Sequence, residues 1–125
     1  MDTMTRIRDI HRTAVVADAA DHLVEVACRM RDDDVDALVV MDGDRLAGII
    51  TEQELVEAVA DGVDLEHALA GEFMTARLVR VDHGTGVQEA ARVLAGANAR
   101  QLVIVADGMV VGTISARDLL RETAS

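Results

Sequence analysis

The pattern of apolar and polar residues in the first half of the chain predicts strands and amphipathic helices in alternation. Within residues 21–31 the apolar side chains recur at the i, i+3, i+4 and i+7 spacing of a helix with one apolar face. Two apolar runs follow on either side of an Asp-Gly-Asp turn at 42–44, which is typical of a β-hairpin. The predicted strands are 14–17, 37–41 and 45–50, and the predicted helices are 21–31 and 51–60.

The same order of elements recurs 64 residues later without a gap. Val15 falls on Val79, and Gly48 falls on Gly112. A period this long exceeds that of a stacked solenoid unit, so it indicates two halves of one pseudo-symmetric module. The strands predicted in the second half are 78–81, 101–105 and 109–114, and the helices are 85–97 and 115–122.

The predicted fold class is therefore α/β (α+β), with two pseudo-symmetric β-α-β-β-α repeats packed through their sheets. Repeat 1 is expected at 7–62 and repeat 2 at 72–122, together forming one module over 1–125. Residues 1–14 are expected to be an extended or loosely helical lead-in. A short helical stretch is expected around Leu65, Ala68 and Leu69 in the segment between the repeats. A cleft between such halves is a natural ligand site.

Two of the predicted helices carry apolar residues on more than one face. A helix of this kind usually packs against a second partner, so the sequence predicts a homodimer formed through these helices. The residues concerned are Leu55, Val56 and Val59 in one helix and Val87, Ala90, Ala91, Val93, Leu94 and Ala95 in the other.

Composition excludes several classes of partner. The formal net charge of −11 argues against nucleic acid, because affinity for phosphate backbones comes mainly from Lys and Arg. Phe73 is the only aromatic residue of the Phe, Tyr and Trp types, so the chain offers no platform for stacked bases. No apolar run approaches the length of a membrane span, and no secretory signal is expected. The single cysteine, Cys28, favours a cytoplasmic location.

The sequence carries no recognisable catalytic or metal-binding constellation. There is no Ser/His/Asp arrangement and no Gly-rich phosphate loop, and the four histidines lack the spacing of metal ligands. We therefore expect no enzymatic activity, no metal and no required cofactor.

Two short motifs remain as candidate sites, and each opens a predicted helix directly after a strand. The first is Thr51-Glu52-Gln53-Glu54 and the second is Ser115-Ala116-Arg117-Asp118. A Ser or Thr followed three residues later by a carboxylate is a capping box, which is common in any protein. A helix N-terminus also offers free N–H groups and partial positive charge to an anion, so capping and ligand binding both remain open.

The order of elements, together with four sequence segments, resembles a pair of cystathionine-β-synthase (CBS) domains. These segments are LVVMDGDRLAGIITEQELV, EFMTARLVRV, VQEAARVL and LVIVADGMVVGTISARDLL. The chain departs from the family pattern where prolines are usual, and Glu54 stands where an Asp is typical. The non-proline residues are Ala19, Val39, His83 and Val103.

The resemblance implies a site in which the Ser or Thr contacts a nucleotide phosphate and the Asp holds the ribose hydroxyls. It points to Ser115 and Asp118, with Arg117 and Arg100 as helpers. Thr51 and Glu54 would form a weaker second site. The base would lie among Val79, Val81, Leu102 and Val103.

The resemblance implies a stand-alone regulatory module that senses an adenine nucleotide (AMP, ADP or ATP) in the cleft between the repeats. Binding would be relayed to an unidentified partner protein. Two alternatives remain open: a dimerisation or docking module without a ligand, and a sensor of an S-adenosyl ligand.

Overall fold

The computed structural model describes residues 5–123, which divide into two compact units. One unit consists of residues 15–77, and the other combines the chain before residue 15 with the chain from residue 78 on. The strands are β1 (Arg12–Thr13), β2 (Val16–Asp18), β3 (Ala37–Asp42), β4 (Arg45–Thr51), β5 (Arg80–Asp82), β6 (Gln101–Ala106) and β7 (Met109–Ser115). The helices are α1 (Leu23–Asp33), α2 (Glu52–Ala60), α3 (Ala70–Phe73), α4 (Val87–Ala97) and α5 (Ala116–Thr123), preceded by a 3₁₀ turn at Ile7–Asp9.

The unit of residues 15–77, called here the first-repeat unit, is built on a three-stranded sheet in the order β2-β3-β4. β2 and β3 run parallel because α1 connects them, and β3 and β4 form an antiparallel hairpin. The buried residues of its core are Ala17, Leu23, Val26, Met30, Leu38, Val40, Ile50, Ala58 and Ala70.

The other unit, called here the second-repeat unit, is built on a four-stranded sheet in the order β1-β7-β6-β5. β5 and β6 run parallel, and β6 and β7 form the second hairpin. Its core consists of Ile7, Val81, Val87, Ala90, Leu94, Leu102, Ile104, Ile114 and Leu119. The predicted α/β class and the β-α-β-β-α order of each repeat are confirmed.

The 64-residue repeat extends to individual backbone hydrogen bonds. The N–H of Val39 donates to the carbonyl of Val15 at 2.9 Å, and the N–H of Val103 donates to Val79 at 2.9 Å. α1 and α4 end alike, at Asp34 and Asn98, both in the left-handed region at φ 53°. Asp and Asn tolerate this conformation better than other non-glycine residues, so the sequence places them where the turn needs them.

The segments at the start of the two repeats are exchanged, because each is hydrogen-bonded to the other repeat. Residues 5–13 pair with the second repeat: the N–H of Ile7 donates to the carbonyl of Thr85, and that of Arg8 to the carbonyl of His83, both at 2.9 Å. Residues 68–75 make the equivalent bonds in the first-repeat unit, between Ala70 and Asp21 at 2.8 Å and between Gly71 and Ala19 at 2.9 Å. We call residues 5–13 and 68–75 the leader segments.

Each leader segment ends by pairing antiparallel with the second strand of the hairpin of its unit, at or next to a glycine. β1 pairs with β7 through Thr13 and Gly112, and Thr75 exchanges two backbone hydrogen bonds with Ile49, next to Gly48. A Cβ at Gly48 would lie 2.7 Å from the carbonyl oxygen of Thr75, and one at Gly112 would overlap His11 and the carbonyl of Arg12. Both glycines are therefore required by close approach of the backbone.

Three predictions about these segments are corrected by the structure. The lead-in is not loose, because its 3₁₀ turn and β1 are hydrogen-bonded to the second repeat. β2 and β5 each begin two residues later than predicted. The helical stretch around Leu65, Ala68 and Leu69 is reduced to one turn, closed by the N–H of Ala68 and the carbonyl of Asp64 at 2.9 Å. Leu69 is extended (φ −102°, ψ 145°) and pairs with His22, so the short helix begins only at Ala70.

Candidate functional site

The second-repeat motif lies where β7 passes directly into α5. Ser115 is the last residue of β7, and its Oγ accepts a hydrogen bond from the backbone N–H of Asp118 at 3.1 Å. The backbone N–H of Ala116 donates to the carbonyl of Arg100 at 2.8 Å, which ties the start of α5 to the start of β6. The structure thus brings Ser115, Arg117, Asp118 and the backbone of Arg100 to one edge of the second-repeat unit.

The Asp118 carboxylate plays no part in this cap. Its Oδ1 accepts a hydrogen bond at 3.3 Å from Arg121, one turn further along α5. The Asp118 side chain is 40% exposed and that of Arg121 is 70% exposed, so water surrounds the pair and its net contribution to stability is small. The carboxylate is therefore accessible to a ligand at little energetic cost.

Arg100 and Arg117 are both exposed. Within residues 5–123, neither guanidinium group forms a hydrogen bond or an ion pair. Guanidinium groups bind phosphate through two parallel hydrogen bonds, so both are chemically suited to an anion near Ser115.

The apolar residues expected around a base do not share one surface. Leu102 and Val103 are neighbours in β6, so their side chains point to opposite faces of the sheet. Leu102 and Val81 belong to the hydrophobic core of the unit, and Val79 packs against that core. Only Val103 of these four lies outside this core cluster, in register with Arg80 and Thr113.

Thr113 was not among the residues predicted from the sequence. It is 8% exposed and adjoins Val103 across the hairpin, where the first repeat has Ile49. The sequence feature that distinguishes Thr113 is its hydroxyl within an apolar strand, at a position where the first repeat has isoleucine.

The first-repeat motif has the same backbone but a different side-chain arrangement. Oε1 of Glu54 accepts hydrogen bonds from the backbone N–H of Thr51 at 2.7 Å and from its hydroxyl at 2.9 Å. The Glu54 side chain is longer by one methylene than that of Asp118 and reaches back over the helix start. Its carboxylate therefore serves the cap, and the Thr51 hydroxyl is used as a donor.

Within residues 5–123 the structure contains neither a metal-binding cluster nor a membrane-spanning helix. No group of three or more His, Cys, Asp or Glu side chains is arranged to hold a metal ion in this range. No helix within it is both long enough and apolar enough to cross a membrane.

Comparison with known proteins identifies the family to which this chain belongs. The model of the CBS domain matches the chain twice, at residues 7–61 and 70–125. Hypoxic response protein 1 of Mycobacterium tuberculosis is 31% identical over 122 residues, covering 94% of this chain and 85% of that protein.

Solved structures agree in fold. A CBS domain protein from Pyrobaculum aerophilum complexed with AMP has a TM-score of 0.81 and 25% identity, covering 96% of this chain and 98% of that chain. A CBS domain pair in complex with 5′-methylthioadenosine and S-adenosyl-L-methionine has a TM-score of 0.82 at 22% identity, covering 97% of both chains. The chain belongs to the CBS-domain family and carries two copies of the domain.

Proposed function

We propose that this CBS pair is a regulatory module that binds an adenine nucleotide of the AMP, ADP or ATP class through its second repeat. The observation that carries the proposal is the accessible Asp118 carboxylate beside the Ser115 helix start, in a chain whose family includes an AMP complex. The module has no catalytic role in this proposal and requires no cofactor. A cytoplasmic location, expected from the single cysteine, is part of it.

The chemistry of the site assigns a role to each group. The partial positive charge at the N-terminus of α5 attracts a phosphate. Arg117, in the first turn, binds that phosphate through its guanidinium group. The Asp118 carboxylate accepts hydrogen bonds from the two ribose hydroxyls. The first-repeat motif is a weaker site because Glu54 is already bonded to Thr51.

The signal passes to a partner protein by a shift in population. A nucleotide that binds one conformation more tightly than another raises the population of that conformation. The exposed apolar residues of the helices are the surface for protein contacts, either with a second copy or with the regulated partner. Val56 and Val59 of α2 are 64% and 61% exposed, and Leu120 of α5 is 62% exposed. In α4, the other helix expected to contact a partner, Val87, Ala90 and Leu94 are instead buried in the core of the second-repeat unit.

Homodimerisation through these helices is tested by sedimentation. We expect a dimer at micromolar concentration that dissociates when Val59 and Leu120 are both replaced by glutamate. A wild-type chain that sediments as a monomer at this concentration would exclude the homodimer.

The ligand is tested by isothermal titration calorimetry with AMP, ADP, ATP and S-adenosylmethionine, using Asp118→Ala as the binding-site variant. The variant should lose affinity for the nucleotide and keep its melting temperature, because the Ser115 cap uses only the Asp118 backbone. Glu54→Ala is the matched control, since it removes an acid at the equivalent position of the first repeat. It should lower stability and leave the nucleotide affinity of the second-repeat site unchanged.

Two other functions give different results in the same titrations. A docking module without a ligand produces no heat with any of the four compounds at millimolar concentration. A sensor of S-adenosyl ligands responds to S-adenosylmethionine and not to the nucleotides. The departures from the family pattern, above all Glu54 in place of Asp, favour the docking module for the first repeat.

A further inference from the structure

The two repeats present opposite charges at equivalent helix starts. In the first repeat the carbonyl of Asp36 accepts a hydrogen bond from the N–H of Glu52 at 3.0 Å. In the second repeat the carbonyl of Arg100 accepts the same bond from Ala116 at 2.8 Å. This shared bond fixes the correspondence between Asp36 and Arg100, independently of any sequence alignment.

The charge reversal includes every ionisable residue at positions 36 and 52–54 of the first repeat and at the equivalent positions 100 and 116–118 of the second. The first repeat has three carboxylates and no cation, from Asp36, Glu52 and Glu54, which is a formal charge of −3. The second repeat has two guanidinium groups and one carboxylate, from Arg100, Arg117 and Asp118, which is a formal charge of +1. The repeat therefore conserves the backbone of the site and inverts its electrostatics.

The helix itself cannot account for a difference in ligand preference. α2 and α5 both begin directly after a strand, and each N-terminus offers about half a positive charge. Three carboxylates outweigh this partial charge in the first repeat. In the second repeat the two arginines add to it, and neither has a hydrogen-bonding or ionic partner within residues 5–123.

We infer that this reversal makes phosphate the deciding group: a phosphorylated nucleoside binds at the second repeat, and the first repeat excludes it. One chain therefore takes one phosphorylated ligand, although the fold is repeated. Any adenosyl ligand accepted by the first repeat carries no phosphate. The inference rests on the proposed function and adds the charge class of the ligand at each repeat.

The test compares AMP with adenosine, which shares the base and ribose but lacks the phosphate. We expect the wild-type chain to bind one AMP per chain by isothermal titration calorimetry. The double variant Arg100→Gln with Arg117→Gln should weaken AMP binding about tenfold or more, a factor that corresponds to 1.4 kcal/mol, and leave adenosine affinity unchanged. Arg92→Gln, which removes an exposed arginine of α4 that pairs with Glu89, is the matched control and should change neither affinity.

The reciprocal variant converts the first repeat. Asp36→Arg with Gln53→Arg and Glu54→Asp should add a second AMP per chain, because Glu54 otherwise stays bonded to Thr51. Two AMP molecules bound to the wild-type chain would overturn the inference, and so would an unchanged ratio of AMP to adenosine affinity in the double glutamine variant. Both results leave the proposed function standing. If neither AMP nor adenosine binds the wild-type chain, the proposed function fails and the inference fails with it.

Discussion

Glu54 folds back onto Thr51 and accepts hydrogen bonds from its backbone N–H at 2.7 Å and its hydroxyl at 2.9 Å. At the equivalent turn of the second repeat the direction is reversed, since the Ser115 hydroxyl accepts a bond from the backbone N–H of Asp118. The N-terminus of α2 is therefore capped by the carboxylate of Glu54, and that of α5 by the hydroxyl of Ser115. The difference of one methylene between Glu and Asp decides which carboxylate stays accessible.

This difference predicts which substitutions remove a cap. Glu54→Ala and Ser115→Ala should each lower the free energy of unfolding by about 1 kcal/mol, because each removes the side chain that satisfies a backbone N–H. Urea unfolding followed by circular dichroism measures both. Gln53→Ala, an exposed position in the same turn, is the control and should stay within about 0.5 kcal/mol of wild type. An unchanged unfolding midpoint for Ser115→Ala would contradict the assigned cap.

The exchanged leader segment predicts a long-range effect of a residue near the N-terminus. Ile7 is fully buried in the core of the second-repeat unit, so Ile7→Ala should cost about 2–5 kcal/mol. Native-state hydrogen exchange should show earlier loss of protection at the amide of Val87, which donates to the carbonyl of Thr5.

Leu23→Ala provides the mirror-image control for this experiment. Leu23 is equally buried, but it lies in the core of the first-repeat unit, and its own amide donates to the carbonyl of Ala68. That variant should reduce protection first among residues 15–77. If Ile7→Ala instead reduced protection first in that range, the pairing of the leader segment would be wrong.

Two glycine substitutions should change the stability of the protein in opposite directions. Gly112→Ala should destabilise the protein by about 1–3 kcal/mol, because the added Cβ would overlap His11 and the Arg12 carbonyl where β1 pairs with β7. Gly96→Ala should stabilise it by up to about 1 kcal/mol, because Gly96 lies within α4 and its added Cβ meets nothing within 4 Å. Thermal melts measure the change in stability of the two variants. A stabilised Gly112→Ala protein would refute the close approach of β1 to Gly112.

The hydrogen bonds of Asp21 predict part of the loss of stability at acid pH. A hydrogen bond from the Asp18 backbone N–H at 2.9 Å and another from Arg29 at 3.1 Å lower the pKa of the Asp21 carboxyl below its ordinary 3.8, against the opposing effect of partial burial. Because the folded pKa is the lower one, this stabilisation is complete above about pH 3.8. It is lost as the pH falls through the folded pKa.

Asp21→Asn should therefore reduce stability at pH 7 and flatten the decline in stability below about pH 4. Urea unfolding midpoints at pH 7, 5, 4 and 3 measure the effect. Asp44→Asn, in the exposed turn between β3 and β4, is the control and should retain the wild-type decline. An equal decline in the Asp21→Asn and wild-type proteins would remove Asp21 as a cause.

Local sequence patterns predicted the elements whose signals are local. The i, i+3, i+4 spacing located α1, the 64-residue repeat located α4, and the Asp-Gly turns located both hairpins, one of which turns at Asp107 and Gly108 with positive φ. The serine and threonine helix starts were also predicted, because a capping box occupies four consecutive residues.

The missed features depend on partners distant in sequence. β1 has only two residues, both exposed, so it shows no alternation, and it forms because β7 offers an edge. The same applies to Leu69, whose apolar side chain suggested a helix but whose backbone pairs with His22. Likewise, four apolar residues were expected around one base, but the alternation of β6 places Leu102 in the core and Val103 on the opposite face.

The exchange of leader segments also determines the order in which a ribosome can complete the two units. Thr75 follows its partner Ile49 by 26 positions, so the first-repeat unit can fold soon after it leaves the exit tunnel. Thr13 pairs with Gly112, so β1 remains without its partner while about 100 further residues are made, which takes about 5–20 seconds. β1 is therefore synthesised before the other strands of residues 5–123 and is among the last of them to be fixed in the native fold.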